Sequence, residues 1–534
     1  MIAQRQSGCT ISQLNEINLQ PVMKRIDLVA LATLVVCVFS VLVQYLFDGP
    51  IRGHILNSDT LFYPALLSDV FDGAGRFSDW SLPAAPYFFP ELAIFLLGYL
   101  TGWRADLQLL AVALVQSYLI FLALQSLVKQ TSLRKPFFVT TVIFAVLCYF
   151  ALASNKPFDF ISGGPFVLLL VSAFHFGVFL ITLIFLSLWL KVIDEQRQPT
   201  QHLLNTTLLA LLAFLATSSD SFFLTQTIGP LIVIVLSQSL ISRYDFWRVT
   251  LMPLLVAIVA CVAGFFSNDL LFATTTRPSP HFGLTGYETR LEAMVNVFAS
   301  VVSTYPILLF VFLLYAVIVL ISALRFFKSP VNVSKLTWLT IFSLLSLIST
   351  VAALALLTNV PTIGARYLLP VFFWPVIIII LFVADFAGRL FVPAAVALSI
   401  CLMAQLSVDS YHLLESNKLN RAGYSDDVAC IDEALKDTDA RHGLAQYWDA
   451  RYLQTFSKLK LTVAQYTVDL EPIDFFTSTK SFRSGYDFAV SSRNVNDAWQ
   501  IPLDLLVRKG GEPKRIERCG SRTLYVFAKD GLKP

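Results

Sequence analysis

The chain has 534 residues, of which 56% are hydrophobic and 14% charged, and its mean hydropathy is +0.68. A soluble domain carries about 45–50% apolar and 25% charged residues, so a water-soluble core does not account for this composition and the lipid bilayer is the main solvent. The formal net charge of +3 is close to balance and gives no reason to invoke nucleic acid.

In chain order, residues 1–26 form a polar tail ending on Lys24 and Arg25. The apolar run behind it, 27–47, has full spanning length, unlike the short core of a cleavable signal. Further spans are predicted at about 105–127, 136–153, 165–190, 203–218, 221–241, 249–266, 293–324, 337–357, 367–384 and 390–407. The expected fold is therefore a polytopic α-helical membrane protein of about eleven transmembrane helices, with its membrane domain at 27–407. Lys and Arg collect in the N-terminal tail and at 128–135, 191–202, 242–248, 325–335 and 385–389. The positive-inside bias places these segments in the cytoplasm and the C-terminal segment outside.

One apolar stretch, 88–102, is too short for this scheme, starts beside Pro86 and Pro90, and holds Glu91. Counting it as a crossing would put Lys129, Arg134 and Lys135 outside. It reads as a re-entrant or interfacial helix within a large first outer loop, 48–104.

From 408 to 534 the composition becomes that of a soluble domain. Helical patterns at 426–437 and 443–457 alternate with strand patterns at 460–469, 486–491 and 521–528, predicting a small α/β module. Cys430 and Cys519 are its only cysteines, and an oxidising compartment would allow them to pair; two buried thiols are the alternative. No metal-ligand spacing such as C-x-x-C occurs. The sequons at Asn205 and Asn332 both fall on the cytoplasmic side, which favours a bacterial inner membrane with a periplasmic C-terminal domain.

The first loop holds His54, Asp59, Asp69, Asp72, Asp79 and Glu91 among aromatic residues. Most of these acids read as solvated, with Asp69 and Glu91 kept as further candidates. Asp59 stands apart, because it precedes an apparent helix at 60–71 close to the first span. It suits a general base toward an acceptor hydroxyl, or else it caps that helix, a role open to Ser58 as well. The loop 267–292 carries Arg277, His281 and Arg290. Arginines on an outer loop run against the charge bias, and holding a phosphate or pairing with Glu288 and Glu292 would explain them. Arg366 and Tyr367 open a span at the outer edge, where a lipid headgroup would lie or where an arginine only snorkels. His175 lies within an apolar run, as an intramembrane functional group or as a neutral hydrogen-bonded histidine. Asp220 sits on the same outer side between two spans.

This arrangement resembles the GT-C class of polytopic glycosyltransferases, which take a sugar from a polyprenyl-phosphate carrier and transfer it outside the membrane. The resemblance rests on the early acid Asp59 in a large first loop, the Pro-bounded helix at 86–102, the late Arg366-Tyr367-x-x-Pro370 and the soluble C-terminal domain, and it covers about 20–407. It implies that Asp59 is the catalytic base and that Arg366, with Arg277, His281 and Arg290, holds the carrier phosphate; His175 is a further candidate for that phosphate from its place in an apolar run. It also implies a lipid-linked sugar donor and a glycan, lipid or protein acceptor. Asp59 is followed by Thr60 and not by a second acid, which departs from the commoner pattern and leaves a divalent metal open. The rival readings are a lipid-linked saccharide polymerase or ligase, a flippase or transporter, and a non-catalytic assembly subunit. A transporter would place ionisable groups at the midplane of several spans, and no internal repeat is visible.

Overall fold

The structure is a computed structural model, and it describes residues 11–47, 55–73, 75–83, 85–153, 164–171, 175–194, 199–240, 250–271, 281–328, 333–358, 363–388, 390–416, 424–492 and 500–534. Among the described residues, eight helices are long and apolar enough to cross a bilayer: Arg25–Leu46, Ala105–Gln130, Phe176–Asp194, Thr200–Ser219, Ile307–Lys328, Lys335–Leu356, Ala365–Phe386 and Phe391–Glu415. The other three of the eleven expected crossings fall on shorter apolar helices, Pro136–Leu152, Leu224–Ser239 and Met252–Ser267, so length and composition support eight spans and not the full eleven. Phe88–Tyr99 is also short, and its backbone kinks at Phe89.

Two expected spans are broken. The run 293–324 is divided into Tyr287–Thr304 and Ile307–Lys328. Pro306 has no amide hydrogen and excludes Tyr305 from helical geometry, and Tyr305 sits at φ −126°, ψ 76°. The run 165–190 begins as a 3-10 segment, Pro165–Leu170, and its regular helix starts only at Phe176. The buried carbonyls of this irregular backbone need acceptor satisfaction from inside the protein. Gln116 Nε2 donates to Leu168, Leu169 and Val171 at 3.0–3.1 Å, and the Tyr45 hydroxyl donates to Leu170 O at 2.8 Å. A widened turn at Leu224–Ile228 is treated in the same way, with Ser346 Oγ donating to Gln226 O at 2.7 Å.

Close helix packing in an apolar solvent depends on small residues. Pro199–Ser219 and Met252–Leu271 cross on buried Ala213, Ala216, Ala257 and Cys261. At Gly264 a Cβ would come within 2.5 Å of Phe214 O, so only glycine allows that approach. Next to this crossing lies an aromatic core in which Phe166, Phe176 and Phe179 pack on Phe373.

The last membrane helix runs on to Glu415, beyond the boundary expected at 407. The domain that follows has a five-stranded mixed sheet. Its strands are β2 (His442–Gln446), β3 (Thr462–Tyr466), β5 (Phe488–Ser492), β6 (Arg515–Cys519) and β7 (Arg522–Val526), in the order β3-β2-β5-β7-β6. β2 is parallel to both β3 and β5, and β7 is antiparallel to β5 and β6. The expected helix at 443–457 is corrected here: 442–446 is a strand and the helix is Tyr447–Phe456. The reason is tertiary, since Gly443 lies under the Phe488 ring, where a Cβ would come within 2.1 Å. Cys430 and Cys519 form a disulfide that ties the helix Asp426–Leu435 to β6.

The small domain docks on the first long loop. β1 (Trp80–Ser81) pairs antiparallel with β4 (Thr477–Ser478). Beside this ladder Lys480 Nζ meets Asp79 Oδ2 at 2.6 Å, and the Arg451 guanidinium lies over the Trp80 ring at 4.9 Å.

Candidate active site

The site begins with the turn 55–61. Asn57 Oδ1 accepts from the amides of Asp59 and Thr60 at 3.0 and 3.1 Å, and Thr60 Oγ1 donates to Ile55 O at 2.6 Å. These short-range bonds are the ones a side chain offers a tight turn in place of helix. The following helix is Phe62–Phe71, with Leu61 at its N-cap and no side-chain cap. The Asp59 carboxylate is thus not used as a cap and faces inward, 6% exposed.

Both of its oxygens have partners from distant parts of the chain. Arg366 Nη1 donates to Oδ2 at 3.1 Å, and the Tyr447 hydroxyl donates to Oδ1. Arg366 is presented by the short turn Ala365–Leu368, and its guanidinium lies 5.0 Å from the centre of the Tyr367 ring. Burial pushes the Asp59 carboxyl above its ordinary range, while the Arg366 charge and the two hydrogen bonds pull it back part of the way.

A second group of side chains adjoins the first. His175 begins the Phe176–Asp194 helix at φ 69°, so it stands at a break in the membrane segment and not well inside a span, as the sequence suggested. Its Nδ1 is bonded to Asp220 Oδ2, and its Nε2 lies 3.1 Å from the Tyr87 hydroxyl. Its ring packs 5.1 Å from Tyr367, the residue stacked on Arg366. Glu91, buried beside it, accepts from Gly177 N at 3.0 Å, a carboxylate at the positive end of that helix. A Cβ on Gly177 would fall 2.2 Å from Glu91 Oε1, so only glycine permits this contact.

The structure brings together Asp59, Arg366, Tyr367, His175, Asp220 and Glu91. It does not bring Arg290 into that group by any contact. Arg290 donates to Ala355 O, Thr285 O and Gly283 O at 2.9–3.1 Å, clamping the end of the Lys335–Leu356 helix to the loop before the Tyr287–Thr304 helix. His281 is exposed in that loop, where its carbonyl accepts from Thr358 N at 2.8 Å. Arg277 and His54 lie outside the described residues. Asp69 Oδ2 accepts from the Trp80 indole at 2.8 Å, and Asp72 accepts from the Tyr99 hydroxyl at 2.5 Å, so both acids brace the loop. Among the described residues no group of three or more His, Cys, Asp or Glu side chains is placed to hold a metal ion. Sequence reasoning missed Tyr447 and Tyr87, which reach the site only through the tertiary fold.

The fold is of the GT-C type. No family model matches the chain, and no curated protein matches it. Among solved structures it is similar to that of ArnT from Cupriavidus metallidurans bound to undecaprenyl phosphate. The TM-score is 0.54 at 13% identity, over 96% of this chain and 99% of that one.

Proposed function

We propose that this protein is a membrane glycosyltransferase that moves a sugar from a polyprenyl-phosphate carrier to an acceptor on the outer face of a bacterial inner membrane. Its N-terminus is then cytoplasmic and its C-terminal domain periplasmic. The observation that carries the reading is the buried Asp59–Arg366 pair, one group suited to accept a proton and the other to hold a phosphate. The ligand of the similar structure, undecaprenyl phosphate, supports the same donor class.

In this reaction the acceptor oxygen attacks the anomeric carbon, the bond from that carbon to the phosphate oxygen breaks, and the electron pair leaves with the carrier phosphate. The acceptor proton passes to Asp59. A phosphodiester becomes a phosphomonoester, so negative charge grows on the leaving group, and Arg366 and His175 stabilise that growth. One base and no enzyme nucleophile favour a single displacement with inversion. Arg366 is bonded to Asp59, so an arriving phosphate competes for the guanidinium and releases the base as it binds.

The test is the binding of undecaprenyl phosphate to the protein in phosphatidylcholine nanodiscs, followed by turnover with polyprenyl-phosphate sugars. Saturable binding that Arg366→Gln abolishes, together with sugar transfer by the wild type, supports the reading. Binding that is indifferent to Arg366 contradicts it.

A further inference from the structure

The C-terminal domain does more than dock on the loop, because one of its side chains ends on the candidate base. Tyr447 opens the helix Tyr447–Phe456 and is almost fully buried. Two bonds tie it to the loop turn: its hydroxyl donates to Asp59 Oδ1, and its carbonyl accepts from Ser58 Oγ. We propose that the C-terminal domain completes the catalytic site by supplying Tyr447 as the positioning residue of the Asp59 base. This rests on the glycosyltransferase reading above.

Three features fix Tyr447 where it stands. Gln446 Oε1 accepts from Trp448 N at 2.8 Å and so caps the first turn of the helix. Asp449 in that turn is held by Gln446 Nε2 at 2.8 Å and by Arg522 Nε of β7 at 2.8 Å, and Arg522 is held in turn by Asp427 at 3.1 Å. The Tyr447 ring packs on Phe475 at 5.1 Å, and the next residue, Phe476, packs on Phe62 of the helix after Asp59 at 4.8 Å. The phenol is thus presented by a rigid element and not by a flexible tail. Burial and the Asp59 charge push it well above its ordinary range, so it remains a donor at any working pH.

The consequence is geometric and electrostatic. Asp59 receives one donor on each oxygen, Arg366 from the membrane part and Tyr447 from the soluble part, which fixes the plane of the carboxylate. A donor to the ionised form favours that form. The other ionisable groups bearing on this pair are Tyr87, which interacts with Asp59 and Arg366, and Arg451, which interacts with Tyr447. Burial raises the carboxyl, and Arg366 and the phenol, as its two hydrogen-bond donors, pull it back.

The experiment reads Asp59 through carrier binding, without needing to know the sugar. Protonating Asp59 frees Arg366, so the affinity for undecaprenyl phosphate in phosphatidylcholine nanodiscs gains a component that strengthens as pH falls. Titration of the carrier's own phosphate is common to all variants and cancels in the comparison. Tyr447→Phe keeps the ring and removes one charge-assisted bond, which moves that component upward by about one pH unit, or about tenfold in proton concentration. Asp59→Asn loses it. Lys480→Ala, which removes a docking ion pair outside the site, titrates as wild type.

A Tyr447→Phe curve superimposed on the wild type overturns the proposal while leaving the carrier site intact. An equal shift in Lys480→Ala also overturns it, because the effect then belongs to loosened docking and not to the hydroxyl. Absence of carrier binding in the wild type removes the glycosyltransferase reading, and the proposal with it.

Discussion

The Asp59 carboxylate and the Arg366 guanidinium meet at 3.1 Å although 307 positions separate them in the chain. The pair is largely withdrawn from water, with side-chain exposures of 6% and 17%. A buried ion pair is weak evidence for stability, since desolvation offsets much of the attraction. Its placement is better explained by the two chemical roles proposed for its members.

Replacing the base separates those roles. Asp59→Asn is expected to lower turnover by about 10²–10⁴-fold, the range of a lost general base. Carrier affinity should hold or rise, because Arg366 no longer has a competing carboxylate. Parallel measurement of undecaprenyl phosphate binding and turnover checks both halves.

Acid should switch the enzyme off earlier than an ordinary carboxylate would. A base works when ionised, and burial raises the Asp59 pKa, so kcat/KM falls as pH decreases through a midpoint above the usual carboxylate range. A pH–rate profile of wild type locates that limb.

The His175–Asp220 pair makes a third prediction. Removing the imidazole by His175→Ala takes away one stabiliser of the leaving phosphate and should lower kcat by about 10²-fold. Asp220→Asn keeps the imidazole and its surroundings and should have a smaller effect in the same direction. Rates normalised to the carrier-binding-competent fraction, measured by titration with undecaprenyl phosphate, distinguish this from a purely structural loss, which would lower that fraction and leave the normalised kcat unchanged.

Gly177→Ala tests the local architecture. The added methyl meets Glu91 Oε1 and has to displace it from the Gly177 amide. Overpacking of this kind costs about 1–3 kcal/mol, which thermal unfolding in detergent detects.

The disulfide gives a fifth prediction. Cys430 and Cys519 stand 89 positions apart in sequence, and closing a loop of that length stabilises by about 2–5 kcal/mol. Cys519→Ser should lower the unfolding temperature of the C-terminal domain, measured by intrinsic fluorescence.

Much of this site was legible in the sequence because each residue stood out against its local background. Asp59 followed Asn57 and Ser58 near the first span, and Arg366 was a charge at the edge of an apolar run. Arg290 stood out for the same reason, and its donors turned out to hold backbone carbonyls. The break before His175 was hidden because only Ser172 interrupts the apolar run 166–174 and no Gly or Pro falls within it. Strand β2 was hidden because His442, Gly443, Leu444, Ala445 and Gln446 include no β-branched residue, and neighbouring strands supply the reason for their conformation. Tyr447 lies 388 positions from Asp59, and nothing in its own neighbourhood announces the contact.

The most direct test of the central claim is a single-turnover assay with polyprenyl-phosphate sugar bound to wild type and to Asp59→Asn in nanodiscs. The account predicts that both proteins bind the carrier and that only the wild type transfers the sugar. Equal transfer by both would contradict it.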